Sequence, residues 1–210
     1  NSKVMKEKEI LIHDFFLNKS KKLPFLRSIF ISNGLLKIKV SELGLFPFIC
    51  QTIISQQISF KAANSIWDSI NDMRKLDGNN FENFFKKKTN KTNIMKAGVS
   101  KKKLNYMINI FNALKKGFLV EKNLKKMNQN SFKKIMKSYS GIGEWSCNMI
   151  EIFYFGKENI WPINDLIIEK MCNIINENEK KKINFTKKFH PYLSFLSLHL
   201  WKANNSKKKL

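Results

Sequence analysis

Residues 135–169 read IMKSYSGIGEWSCNMIEIFYFGKENIWPINDLIIE, and this stretch decides how the chain is to be read. A short helical run ends in Ser140-Gly141-Ile142-Gly143, a second amphipathic run follows, and Asp165 stands twenty positions after Trp145. A Gly-x-Gly between two helical runs makes a tight turn whose N–H groups sit at a helix N-terminus. A phosphate oxygen can bind there without side-chain help. The simpler reading of the same residues is a helix stop at Gly141 and a spacer at Gly143. Asp165 also has two readings. Pro162-Ile163-Asn164-Asp165 ahead of LIIEKM is a helix start, and either Asn164 or Asp165 can supply its cap. Otherwise the carboxylate is held next to a phosphate clamp for chemistry on a nucleotide.

The rest of the chain narrows the partner. With 210 residues it can bury one domain, or one domain in two lobes. A formal net charge of +23 implies a polyanion or an acidic membrane surface. Compositional bias contributes to the lysine excess, because arginine occurs only at Arg27 and Arg74, but glutamate has not risen in step. No apolar run approaches the ~20 residues of a bilayer span. The opening NSKVMKEKE has no signal-peptide core. Cys50, Cys147 and Cys172 are odd in number and scattered, which reads as free thiols in a reducing compartment. His13, His190 and His199 are as widely spread, so no metal site follows from spacing. The expectation is a protein that is not secreted, cytoplasmic or nucleoid in a bacterium and nuclear in a eukaryote.

Helical periodicity dominates. Apolar residues recur at three- and four-residue intervals over 10–16, 48–58, 62–73, 104–114, 132–136, 145–155, 166–175 and 192–201. The only strand-like patch, 35–40, has no clear partner. Gly78-Asn79-Asn80 and the lysine-rich 86–91 read as loops. The basic ends, 1–9 and 205–210, read as frayed. The chain is therefore expected to be all-α.

Four segments together resemble the helix-hairpin-helix (HhH-GPD) DNA glycosylase superfamily, and within it the alkylpurine or 3-methyladenine branch. The first is the hairpin and Asp165 stretch already quoted. FPFICQTIISQQISFKAANSIW (46–67) resembles that branch's helix pair around an IISQQIS core. GVSKKKLNYM (98–107) resembles its G-x-S-x-x-K stretch, and FHPYLSFLSLHLW (189–201) its closing helix. The resemblance covers about residues 46–201. It implies one glycosylase domain over 10–204, with a central lobe of about 50–155 and a second lobe from 10–49 plus 156–204. A cleft would lie between the lobes, with the hairpin and Asp165 at its mouth. The three scattered cysteines exclude the four-cysteine iron–sulfur loop of some relatives.

The same resemblance implies roles. A base inside a duplex must be rotated out and the gap filled, and Gln57 matches the intercalating position; a helix cap is its alternative. Trp145 and Trp201 match aromatic pocket positions, where indole faces attract a cationic purine. Met149 stands where some members carry tyrosine. Gly141 and Gly143 would hold a phosphate through their amides. Lys101, Lys102 and Lys103 are candidate phosphate contacts, although a solvated face is the simpler reading. Family members often place a monovalent cation against the hairpin carbonyls, on which the sequence is silent; no other cofactor is implied. In bifunctional members a lysine occupies the position of Trp145 and forms a Schiff base, which an indole cannot do. Asp165 would then stabilise positive charge on the sugar as the C1′–N bond breaks, and orient water.

The expectation is a monomeric, monofunctional DNA N-glycosylase that excises alkylated purines from damaged double-stranded DNA and starts base-excision repair. The alternatives are a glycosylase for a neutral lesion, such as hypoxanthine, ethenoadenine or a mismatched pyrimidine, and a non-catalytic hairpin module that only binds DNA.

Overall fold

The computed structural model describes residues 2–207, and the side chains of 7–206. Among the described residues it is all helical, with no strand. The N-terminal helices are α1 (Ser2–Lys19) and α2 (Pro24–Asn33). The middle of the chain holds α3 (Leu45–Ser55), α4 (Phe60–Asp77), α5 (Phe81–Lys86), α6 (Lys88–Lys96), α7 (Lys101–Lys115), α8 (Glu121–Lys126) and α9 (Gln129–Met136). Then come α10 (Glu144–Phe153), α11 (Leu166–Asn178), α12 (Phe185–Phe189) and α13 (Leu193–Lys207).

Each long amphipathic run of the sequence is a helix. The short run 132–136 lies in α9, whereas α5, α6, α8 and α12 show no run of their own. The lysine-rich 86–91 segment, expected to be a loop, instead ends α5 and opens α6. The apolar side chains of these two helices, Phe84 and Phe85 of α5 and Ile94 of α6, are buried, and burial outweighs the weak local signal of helices under ten residues long. The strand-like 35–40 patch is irregular coil, since it has no strand to pair with. Helix α1 already runs from Ser2, within the segment expected to fray. The end of the expected basic tail, from residue 208, lies outside the described residues.

The chain forms two compact units, Asn1–Val40 with Glu151–Leu210, and Ser41–Ile150. The terminal unit is built on aromatic packing. Phe16 lies between Phe30 (ring centroids 4.9 Å) and Phe189 (5.4 Å). Ile168, Met171 and Ile175 of α11 and Leu196 and Leu200 of α13 complete this core. The helix carrying Asp165 at its head is thus gripped along its length.

The central unit packs α3 against α4 and α7. Every residue of α3 from Leu45 to Ile54 is buried except Gln51, which makes it the axis of the unit. Phe46 meets Phe85 (5.0 Å) and Phe111 (5.1 Å), fastening α5 and α7 to it. Polar caps start the flanking helices: Ser59 accepts from Ala62 N at 3.2 Å, and Ser100 from Lys103 N at 3.2 Å.

His199 is buried in the terminal core against Phe16 and Phe30, with Nδ1 3.1 Å from Asn33 Nδ2. Burial, reinforced by the nearby His13 and Lys202, pushes its pKa down to about 3. The unfolded chain binds a proton near pH 6.5 and the folded one does not until about pH 3, so acidification across that window favours unfolding. Between pH 7 and 5 this residue should cost about 2 kcal/mol of stability. In urea unfolding at the two pH values, His199→Phe should lose correspondingly less than the unaltered protein. Parallel losses in both proteins would show that His199 is not responsible.

Candidate functional site

The hairpin sits between α9 and α10. Ile142 N donates to Tyr139 O (3.1 Å) to close the turn, and Cys147 N donates to Gly143 O (3.1 Å) to open α10. Ile142 is buried and anchors the turn, while Gly143 is exposed. The two glycines have different reasons to be there. Gly141 has φ +89°, and a Cβ on it would fall within the ring of Tyr106, 2.8 Å from Tyr106 Cβ. Gly143 has no positive φ, and a Cβ there would meet nothing within 4 Å. Gly141 is therefore demanded by packing and backbone geometry, whereas neither φ nor a neighbour demands glycine at 143.

Glu144, the first residue of α10, forms ion pairs with Lys133 and with Lys137 (3.2 Å) of the preceding segment. The Lys133 hydrogen bond, with help from Lys137, lowers its pKa. Next along α10, Trp145 and Met149 are four residues apart; Trp145 is half-buried and Met149 is 8 % exposed.

Gln57 is exposed at the turn between α3 and α4, with φ +59°. A non-glycine residue in the left-handed region costs about 1–2 kcal/mol. Its neighbours explain how the turn persists. Gln56 Nε2 donates to Gly141 O (2.7 Å) and to Ser146 Oγ (2.9 Å). Lys103 Nζ donates to Ile54 O and Gln56 O, both at 2.8 Å. The lysine thus caps the last carbonyls of α3, and desolvation lowers its pKa. Of the three lysines weighed as phosphate contacts, Lys103 points into the protein, and Lys101 and Lys102 are exposed. Two apolar residues flank Gln57 on the outside, Ile58 at 38 % and Phe60 at 82 % exposure.

In the terminal unit, Asp165 is the N-cap of α11. Its Oδ1 accepts from Ile167 N (3.1 Å), Ile168 N (3.0 Å) and Trp201 Nε1 (3.1 Å), and the residue is 7 % exposed. The choice between Asn164 and Asp165 as cap is settled: Asn164, at φ +66°, makes the preceding turn. The loop leading to Asp165 is pinned by Ser194 of α13, whose Oγ donates to Lys157 O (2.7 Å) and accepts from Ile160 N (3.0 Å). Trp201, whose ring the family resemblance places in the base pocket, donates its N–H to Asp165, and its ring lies 5.8 Å from Phe153, tilted by 34°.

Sequence reasoning gave no role to Gln56, Tyr106 or Ser194, and named Lys103 only as a candidate phosphate contact. A polar pair at the end of an apolar helix hinted at Gln56, but no local signal marks a lysine that turns inward. Among the described residues no group of three or more His, Cys, Asp or Glu could hold a metal, and no helix is long and apolar enough to cross a membrane.

This arrangement of helices is the helix-hairpin-helix DNA glycosylase fold. It matches the Bacillus halodurans DNA-3-methyladenine glycosidase with a TM-score of 0.71, covering 92% of this chain and 89% of that one at 21% identity. It matches the Schizosaccharomyces pombe 3-methyladenine DNA glycosylase Mag1, solved with abasic DNA, with a TM-score of 0.69 over 90% of this chain and 97% of that one at 18% identity. A Clostridium acetobutylicum 8-oxoguanine glycosylase/lyase also shares it, with a TM-score of 0.61 at 13% identity over 90% of this chain and 68% of that one. No protein-family model matches the chain. Over 109 residues, 50% of this chain, it is 26% identical to YfjP of Bacillus subtilis, which is provisionally named a DNA-3-methyladenine glycosylase. That match spans 38% of YfjP. The chain thus shares its fold with proteins named as DNA-3-methyladenine glycosylases.

The hairpin geometry separates its two glycines experimentally. Gly141→Ala should cost roughly 2–4 kcal/mol through the clash with Tyr106 and the strained φ, lowering Tm by several degrees. Gly143→Ala should leave Tm nearly unchanged. A thermal melt of each checks this; equal stability of the two variants would mean that Tyr106 moves aside without cost.

Proposed function

We propose that the protein is a DNA N-glycosylase that releases alkylated purines of the 3-methyladenine type by hydrolysis, without cutting the strand. The observation that carries this reading is Asp165, a buried carboxylate fixed at the head of α11 by two amides and an indole N–H, twenty residues beyond Trp145 of a Gly-x-Gly hairpin. A carboxylate so held is oriented in advance, and an oriented charge in a water-poor place is what a developing oxocarbenium ion requires. The bond to a cationic purine is already weak, so one acid suffices. The fold is also that of Mag1, solved with abasic DNA, the product such a reaction leaves.

In this reading the hairpin amides at Gly141 and Gly143 meet a phosphate and fix register without reading sequence. The surplus of 23 positive charges supplies non-specific attraction to the duplex. Gln57 enters the gap left by the extruded nucleotide, and the exposed Phe60 adds apolar surface of the kind that wedges base steps apart. Trp145 provides an indole against the extruded cationic base, and Met149 lies one turn further along the same helix. Trp201 holds Asp165 through its N–H and offers its ring face to the extruded base.

Two outcomes test the chemistry. Asp165→Asn keeps an oxygen that can cap α11, since asparagine is as good an N-cap as aspartate. It should retain fold and DNA binding yet release 3-methyladenine from methylated duplex DNA on the order of 10²–10³-fold more slowly. A variant as fast as the parent would return Asp165 to a purely structural cap.

The product gives the second test. With tryptophan at position 145, borohydride should trap no protein–DNA adduct, and the strand should break only after alkali is added. A trapped Schiff base would replace the monofunctional assignment by a glycosylase/lyase. Release of hypoxanthine with no methylated purine would favour a neutral lesion instead.

A further inference from the structure

We infer that Gln56 is a positioning residue that locks the turn carrying Gln57 to the hairpin, so that seating a phosphate and holding a base extruded are one mechanical event; this rests on the reading of the chain as a base-excising enzyme. Gln56 reaches 85 residues along the sequence to Gly141 O and 90 to Ser146 Oγ with the same side-chain nitrogen. Its own carbonyl is held by Lys103. Both the side chain and the backbone of Gln56 are thereby fixed, and the direction of Gln57 follows from its neighbour. Gln57 itself has a left-handed backbone that a free turn would relax.

The partners of Gln56 matter as much as their number. Gly141 O and Ser146 Oγ belong to the two ends of the hairpin turn, one before Gly143 and one in the first turn of α10. Gly141 cannot shift toward α7 because Tyr106 fills that side. Lys103, three residues before Tyr106 on α7, holds the end of α3. Helix α7 therefore braces both turns, and the Gln56 amide ties them to each other. A plug must stand at a set offset from the phosphate that defines its register, because a displacement of about 1 Å can cost on the order of 10²-fold in rate.

The variants are Gln56→Ala and Gln56→Glu, the second being isosteric but unable to donate from that position when ionised. Each is made alone, and Gln56→Ala is also made on Gln57→Ala. Excision from methylated duplex should fall on the order of 10–100-fold, with excision from methylated single strands changed by less than about threefold, because only the duplex needs a plug. On the Gln57→Ala background, Gln56→Ala should add almost nothing, since the two act as one unit. Melting temperature and affinity for undamaged duplex should stay near the parent's, which a merely structural residue would not allow together with selective loss on duplex.

A readout independent of catalysis uses duplex with 2-aminopurine beside an abasic analogue. The parent should raise its fluorescence on binding by unstacking it, and Gln56→Ala should abolish most of that rise. Equal slowing on both substrates, or additive losses in the double variant, would overturn the inference while leaving the enzyme assignment standing. A parent protein that raises fluorescence but releases no base would overturn the enzyme assignment and leave the coupling to be judged by fluorescence. Failure of both in the parent would overturn both.

Discussion

Three donors converge on one oxygen, Oδ1 of Asp165, and the terminal unit is arranged so that they can. A carboxylate removed from water loses hydration worth many kcal/mol unless hydrogen bonds replace it. Two of the replacements come from the first turn of α11, where unpaired amides and the helix dipole welcome negative charge. The third comes from Trp201 on α13. For the three to meet, α11 and α13 must hold a fixed register. The shared apolar core of Ile168, Met171, Leu196 and Leu200 enforces it. Ser194, also on α13, ties down the loop that delivers the aspartate. Core packing and the polar site are thus one construction.

The central unit solves a different problem, which is to keep two turns in strained or crowded conformations. Gln57 has a left-handed backbone, and Gly141 is pressed against Tyr106. Neither would persist in an isolated peptide. Helix α3 is buried almost throughout, so it cannot roll, and α7 brings Lys103 to its carbonyl end and Tyr106 to the hairpin. The backbone cost at Gln57 is offset by hydrogen bonds its neighbour makes. Strain sustained in this way at an exposed turn is a common mark of a working surface.

Much of this was legible in the residues. The amphipathic runs gave α1, α3, α4, α7, α9, α10, α11 and α13, because burial of one face repeats every three to four residues whatever the partner. The turn Gly141–Gly143, the aromatic at 145 and the acid at 165 stood at readable spacings. Helices α5, α6, α8 and α12 were not readable. They run from five to nine residues, too short for periodicity to register, and only their packing holds them.

By itself the sequence determined an all-helical chain, a Gly-x-Gly hairpin, an aspartate at a helix start and a large positive charge, since each depends on residue type and local spacing. Tertiary structure decided the rest. It chose Asp165 over Asn164 as the cap, gave Trp201 a hydrogen bond to that acid, turned Lys103 inward and joined Gln56 to Gly141. It also showed that Gly141 answers to Tyr106 while Gly143 does not. Each of these depends on atoms brought together across 30 to 90 positions or on competition between adjacent candidates. Such pairings are settled only when the core has fixed which helix faces which, and no local pattern carries that information.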